Sequence, residues 1–359
     1  MATVLRNVHV YDGDGFTDAR DVVIDGEVIA GDAGPDADIV DGAGGFLVPG
    51  FIDCHIHLAG PHTQELLMAA GVTTGLDMSS PAPLVKAMRG RAGVTDIRSA
   101  MMAMSSPASA HAQRMKDIPA AQESLVAGPA DAEAAVARRV DQGADYLKIV
   151  IDLPGFEQAD VDALVAAAHA RGLRTVAHAS RSDAVAMAET AGIDVLTHAP
   201  LDRPIDQAQA ERLAAAGTVI VPTLTMMKGI VDRVNPAGGP GPTYAPARES
   251  VRALHAAGVP ILAGTDANET PAAPASPPFG SSLHDELALL VEAGLTPVEA
   301  LRSATSVAAE HFGLDDRGVI APGLRADLVL LSADPTVDIT ATRSIRGVWL
   351  AGDRVVDEA

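Results

Sequence analysis

A single cysteine in 359 residues rules out an internal disulfide and suits a reducing compartment. Aromatic residues make up only 3% of the chain, so it offers few platforms on which nucleic-acid bases stack. Cations are scarce too: 26 Lys and Arg stand against 47 Asp and Glu, a formal charge of -21. Such a field repels polyanions and anionic bilayers, which argues against nucleic acid or a membrane as partner. No apolar run reaches the roughly 18 residues of a membrane-crossing helix. The stretch "MATVLRNVHVYDGDGF" also lacks the basic and apolar segments of a secretion signal. A cytoplasmic protein is the expectation.

What is abundant is aliphatic: 48% of residues are hydrophobic, enough Ala, Val, Leu and Ile for a large core. Up to about residue 47 the chain reads as short alternating strands broken by Gly and Asp, as in "TVLRNVHVYDG" and "DVVIDGEVIA". The same texture returns in "ADLVLLSADP" and "IRGVWLAGDRVV". The two termini, residues 1–48 and 325–359, are therefore expected to pair into one small β-sandwich.

Between them, over 49–324, strand, loop and helix repeat. Apolar strand-like runs occur at "GFIDCHIH", "VTTGLDM", "IRSAMMAM", "DYLKIV", "RTVAHA", "DVLTHA", "TVIVPT" and "PILAGTDA". Ala-rich amphipathic stretches such as "EQADVDALVAAAHARG" follow them and end on Gly, which suits a helix C-cap. Eight such units predict an α/β fold, a (β/α)8 TIM barrel whose active site lies at the C-terminal ends of the strands. Three long loops, 102–130, 229–247 and 267–281, are expected to rise over that mouth.

Titratable residues mark the expected strand ends: His55 and His57 on the first, Lys148 on the fourth, His178 on the fifth, His198 on the sixth and Asp266 on the eighth. Any one histidine in an apolar strand reads most simply as a hydrogen-bonded core residue. Four at the same end of a barrel have no such common explanation, and nitrogen and carboxylate donors suit Zn²⁺ or a similar divalent ion. Lys148 is one of only four lysines. A bare ammonium inside an apolar strand, beside a dication, is penalised twice. Reaction of its neutral amine with CO₂ gives a carbamate able to bridge two metals; the alternative is that Lys148 reaches the mouth and pairs with a carboxylate.

The order of "GFIDCHIHLAG", "YLKIV", "TVAHAS", "VLTHAP" and "ILAGTDAN", with "PFGSSLHDELALLVEAGLTPVEALRSATSVAAEHFGL" and "GVIAPGLRADLVLL", resembles the amidohydrolase superfamily. It is most similar to the imidazolonepropionase-like and prolidase-like branch. The resemblance implies that His55, His57 and Asp266 hold one metal, that His178 and His198 hold the other, and that carboxylated Lys148 bridges both. It also implies a metal-bridging hydroxide as nucleophile, with Asp266 moving its proton to the leaving nitrogen, so that Asp266 and Lys148 count as catalytic. Relatives often read "GVTTVRD" and "EHG" where this chain has "GVTTGLDM" and "THAPLD", so one expected arginine is missing. A deaminase would carry a glutamate after His178 and no bridging lysine; "AHASRSDA" has no such glutamate.

Weaker signals complete the reading. Asp53 is expected either to orient His55 or to fill the barrel base, and Cys54, by alternation, to face the helices. His111, Tyr244 and His284 are candidate substrate contacts; His111 also reads as a solvent-exposed loop residue, Tyr244 as a loop anchor and His284 as a helix cap. His9, His62, His169, His255 and His311 carry no expected role. The expected function is hydrolysis of an amide, lactam or dipeptide bond in a small molecule with two divalent ions, zinc foremost. Competing readings are an esterase or lactonase on the same site and a binding protein that has lost catalysis. Self-association as a homo-oligomer is compatible with the expected helical faces.

Overall fold

The computed structural model describes residues 2–357 apart from 33, 35, 238, 240 and 272. The chain opens with β1 (Thr3–Val10), β2 (Arg20–Asp25), β3 (Val28–Ala30) and β4 (Asp38–Pro49). Eight short strands follow: β5 (Phe51–Ile56), β6 (Val72–Asp77), β7 (Asp96–Ser99), β8 (Met104–Ser105), β9 (Leu147–Val150), β10 (Thr175–His178), β11 (Val195–Thr197) and β12 (Val219–Val221). β13 (Leu328–Leu331), β14 (Ile345–Leu350) and β15 (Asp353–Asp357) come last.

The central strands are parallel, in a three-stranded sheet β5-β6-β7 and a five-stranded sheet β12-β11-β10-β9-β8. Every residue of β5, β6 and β9 is buried, as expected of strands covered on both faces. On one face Leu147, Ile149, Ala177, Leu196 and Ile220 pack with helix residues such as Leu164, Val185, Leu213 and Leu254. On the other, Ile52, Leu76, Val176, Val195, Val219 and Leu262 form a second layer. The helices close on glycines: Gly192 (φ 72°) and Gly217 (φ 74°) cap Ser182–Ala191 and Gln207–Ala216 in the left-handed conformation that a Cβ disfavours.

Two expected strands are irregular. "IRSAMMAM" is split between β7, which pairs with β6, and β8, which pairs with β9; Met101 between them takes φ 57°, incompatible with a continuous ladder. The expected eighth strand is reduced to isolated bridges, Ile220 to Ile261 and Ile56 to Ala267, and Asp266 takes φ 59°. Its backbone groups still cross between the sheets: Leu262 N–H donates to Ile220 O (2.8 Å), Cys54 N–H to Ala263 O (2.9 Å) and Asp266 N–H to His55 O (2.7 Å).

The termini pair with each other in one seven-stranded sheet, β15-β14-β13-β4-β1-β2-β3. The twelve-residue β4 joins the halves, parallel to β1 and antiparallel to β13. Because the far edge returns to residues 323–326, where Ile29 N–H donates to Leu324 O (2.8 Å), a single sheet encloses Leu5, Val8, Leu47, Leu328 and Trp349. Among the described residues no helix is long and apolar enough to cross a membrane.

Candidate active site

A cavity of about 440 Å³ opens at the ends of the central strands, and His55, His57, Lys148, His178, His198 and Asp266 all line it. His178 is the last residue of β10, His198 follows β11, and His57 lies one residue beyond β5. Residues from all three long segments noted in the sequence reach the same cavity, among them Met102, Ile230 and Asn268. The first segment is not a bare loop; it contains β8 and the short helices Ala110–Arg114 and Pro119–Gln122.

Asp266 is the hub. Its Oδ1 lies 2.9 Å from His57 Nε2 and 3.5 Å from His55 Nε2, and its Oδ2 lies 3.8 Å from His198 Nδ1. Across the cavity His198 Nε2 meets His178 Nδ1 at 2.8 Å. Burial, reinforced by neighbouring cations, holds His55, His178 and His198 well below the ordinary imidazole pKa, so these rings are neutral with lone pairs to offer. Burial works against the His57 cation as well, yet the hydrogen bond and charge of Asp266 outweigh it and raise its pKa.

Lys148 is buried, and its Nζ donates to Thr197 Oγ1 at 2.6 Å. Burial pushes its pKa down to about 7, with Asp266 pulling weakly the other way. The ordinary preference for an exposed, fully charged ammonium has been removed at this position.

Several supporting residues carry no recognisable sequence signal. Thr197 Oγ1 donates to Ala177 O (2.8 Å), which turns its lone pairs toward Lys148. Thr223 Oγ1 lies 2.6 Å from His198 Nδ1. Glu286, fully buried on the helix Ser281–Ala293, accepts the N–H of Leu224 (2.9 Å) and of Thr225 (2.7 Å), together with the Thr225 hydroxyl. It thereby caps the helix Leu224–Val234 from another element. Burial raises its pKa to about 7 against the pull of those hydrogen bonds. Glu286 did leave a trace in the sequence, an acid on the stripe formed by Leu283, Leu287 and Leu290. Asp77 accepts the N–H of Leu58 (3.2 Å) and the hydroxyls of Ser80 and Ser99, which pins the chain just after His57.

Asp53 takes neither expected role in simple form. Its carboxylate accepts the backbone N–H of His55 (3.1 Å) and both the N–H and hydroxyl of Thr265, so it ties β5 to the segment carrying Asp266. Cys54 is buried in one cluster with Ile52, two residues earlier, and with Val176 and Leu262, a cluster that also contains Ala308 and Ala309 of the helix Ser306–Phe312.

Of the three candidate substrate contacts, only His111 lines the cavity, with its pKa lowered to about 4 by burial. Tyr244 lies outside the lining residues, its hydroxyl buried without a partner. His284 is a correction: it is 3% exposed, its Nδ1 lies 3.0 Å from Thr342 Oγ1, and its ring meets Phe51 edge-on. The helix that carries it turns that face toward the terminal segments instead of the cavity. Two charged lining residues escaped the sequence, Arg114 and Asp152, since neither ends a strand.

The donor set fits a divalent cation. One ligand atom each from His55, His57 and Asp266 lie within 4.8 Å of one another. His55 Nδ1 is buried without a hydrogen-bond partner, while its Nε2 has only the distant Asp266 oxygen. Imidazole nitrogens with a carboxylate are the donors that zinc and its neighbours select.

Residues 46–355 match the amidohydrolase family. The chain belongs to that family. An imidazolonepropionase of Deinococcus deserti is 34% identical over 220 residues, which cover 59% of this chain and 50% of that protein, so the match spans about half that relative's length. An uncharacterized protein of Mycobacterium bovis is 31% identical over 320 residues, 81% of this chain and 80% of its own. Among solved structures, a Xaa-Pro dipeptidase with bound methionine shares the fold, with a TM-score of 0.85 at 22% identity and 99% of both chains covered. A prolidase complexed with N-methylphosphonate-L-proline reaches 0.82 at 25% identity over the full length of both.

Proposed function

We propose that this protein is a metal-dependent hydrolase that cleaves the C–N bond of an amide, lactam or dipeptide in a small molecule. The observation that carries the reading is the convergence of four imidazoles, a buried lysine and one carboxylate on a single cavity. In this reading residues 261–267 close the two parallel sheets into a (β/α)8 barrel spanning 49–324, and the terminal sheet, 1–48 with 325–359, is a small second domain.

His55, His57 and Asp266 are assigned to one divalent ion, His178 and His198 to a second, and Lys148 to the bridge between them, with zinc as the preferred metal. The bound ions supply the polarisation of the scissile carbonyl and the acidification of water toward neutral pH. Lys148 suits its part because its depressed pKa leaves a neutral amine that adds to CO₂ with loss of one proton. Thr223 accepts from His198 Nδ1 in the tautomer that leaves Nε2 unprotonated. Asp266, within reach of three of the four imidazoles, takes the proton of the attacking water and hands it to the leaving nitrogen, which departs as a neutral amine. His111 remains the assigned substrate contact at the rim.

The test is demetallation. Chelation abolishes amide hydrolysis, added Zn²⁺ or Mn²⁺ restores it, and metal analysis gives two ions per chain. Hydrolysis that persists undiminished after complete metal removal overturns the reading. Matched amide and ester substrates assayed together separate a C–N hydrolase from an esterase.

A further inference from the structure

The same cavity is lined in part by side chains that the proposed chemistry leaves unused. Five of the chain's eleven methionines line it: Met78, Met102, Met115, Met226 and Met227. They come from separate segments. Met78 follows β6, Met102 lies between β7 and β8, Met115 follows the helix Ala110–Arg114, and Met226 and Met227 occupy the first turn of Leu224–Val234. Methionine is unbranched and polarisable, so a surface made of it follows the outline of a flexible apolar guest instead of imposing a fixed shape.

Apart from the six site residues, the charged lining side chains are Arg114 and Asp152. Arg114 Nη2 lies 4.0 Å from an Asp152 oxygen, and that carboxylate also accepts the His111 N–H at 2.9 Å. Cation and anion therefore sit together on one side. They do not offer two separate partners for the ammonium and carboxylate that flank the scissile bond of a free dipeptide, and bringing those charges against a thioether wall is costly.

We propose that this site takes neutral amides with a flexible, unbranched apolar chain beside the scissile bond, in preference to zwitterionic dipeptides of similar size. This selectivity rests on the hydrolase reading above. Burial of each added methylene against the wall then raises kcat/KM by about fourfold until the cavity is full.

The experiment compares acetyl, butyryl and hexanoyl 4-nitroanilides with methionyl-proline on the zinc-loaded protein. Expected are a rise of about fourfold per methylene and a hexanoyl substrate favoured over the dipeptide by about tenfold or more. Met227→Gln, checked for native circular dichroism, flattens the dependence on chain length. A flat or falling series, or preference for the dipeptide, overturns the proposal. Should the loaded protein hydrolyse none of them, the hydrolase reading fails by itself, and calorimetry on hexanamide against acetamide still reads the wall. Tighter hexanamide binding by about tenfold or more supports it, and equal affinities overturn it.

Discussion

The floor and the wall of one cavity are built by different physics. On the floor, hydrogen bonds and charge hold the imidazoles, Lys148 and Asp266, through Thr197, Thr223 and the carboxylates of Asp53 and Asp77. On the wall, Met226 and Met227 are held by packing and by the capped helix that carries them. A polar floor demands geometry and tolerates little substitution, whereas an apolar wall demands volume and tolerates exchange. The two should therefore respond differently to mutation.

The largest break is expected at Asp266. Asp266→Asn keeps the shape of the floor but removes the proposed base, and should lower kcat by about 10²–10⁴-fold; a rate within threefold of the parent would take proton transfer away from this residue.

The next effect falls where floor and wall meet. Glu286→Ala leaves the Leu224 and Thr225 N–H groups buried without an acceptor, and should cost about 1–3 kcal/mol in denaturant unfolding. Glu286→Gln keeps one acceptor and should lose less. Equal stability for the alanine variant would mean that the helix Leu224–Val234 holds itself.

His284 tests whether the protein beyond the cavity titrates separately from it. Its pKa is lowered by burial to about 4, from 6.5. Between those values the unfolded chain binds the extra proton, so this group's contribution to stability is present above about pH 6.5 and disappears as pH falls toward 4. His284→Gln should flatten that acid slope in unfolding measured from pH 4 to 7. Hydrolysis at neutral pH by the folded variant should be unaffected, since the ring faces Thr342 and Phe51.

Tyr244→Phe should do least. Removing a buried hydroxyl that has no partner is worth less than about 1 kcal/mol and is more apt to stabilise than to destabilise. A selective rise in KM would instead return Tyr244 to the substrate contacts.

Strand-end histidines were readable because they end three short apolar runs, His55 and His57 sharing the first, and the parallel sheets bring those ends to one cavity. Lys148 stood out through the scarcity of lysine and the apolar strand around it. The eighth strand departs from expectation because an apolar run does not reveal that its ladder is reduced to single bridges and ends in the left-handed backbone of Asp266. His284 and Glu286, two residues apart in one motif, exchanged importance. Which face of the helix meets the cavity's neighbours is not encoded in that motif.

Sequence alone placed four histidines, one lysine and one aspartate at or near strand ends, because residue type and local period are properties of short segments. Tertiary structure decided which thioethers line the cavity, which carboxylate caps which helix, and that the termini form one sheet. Those outcomes depend on contacts between segments tens to hundreds of residues apart, and no local pattern carries them.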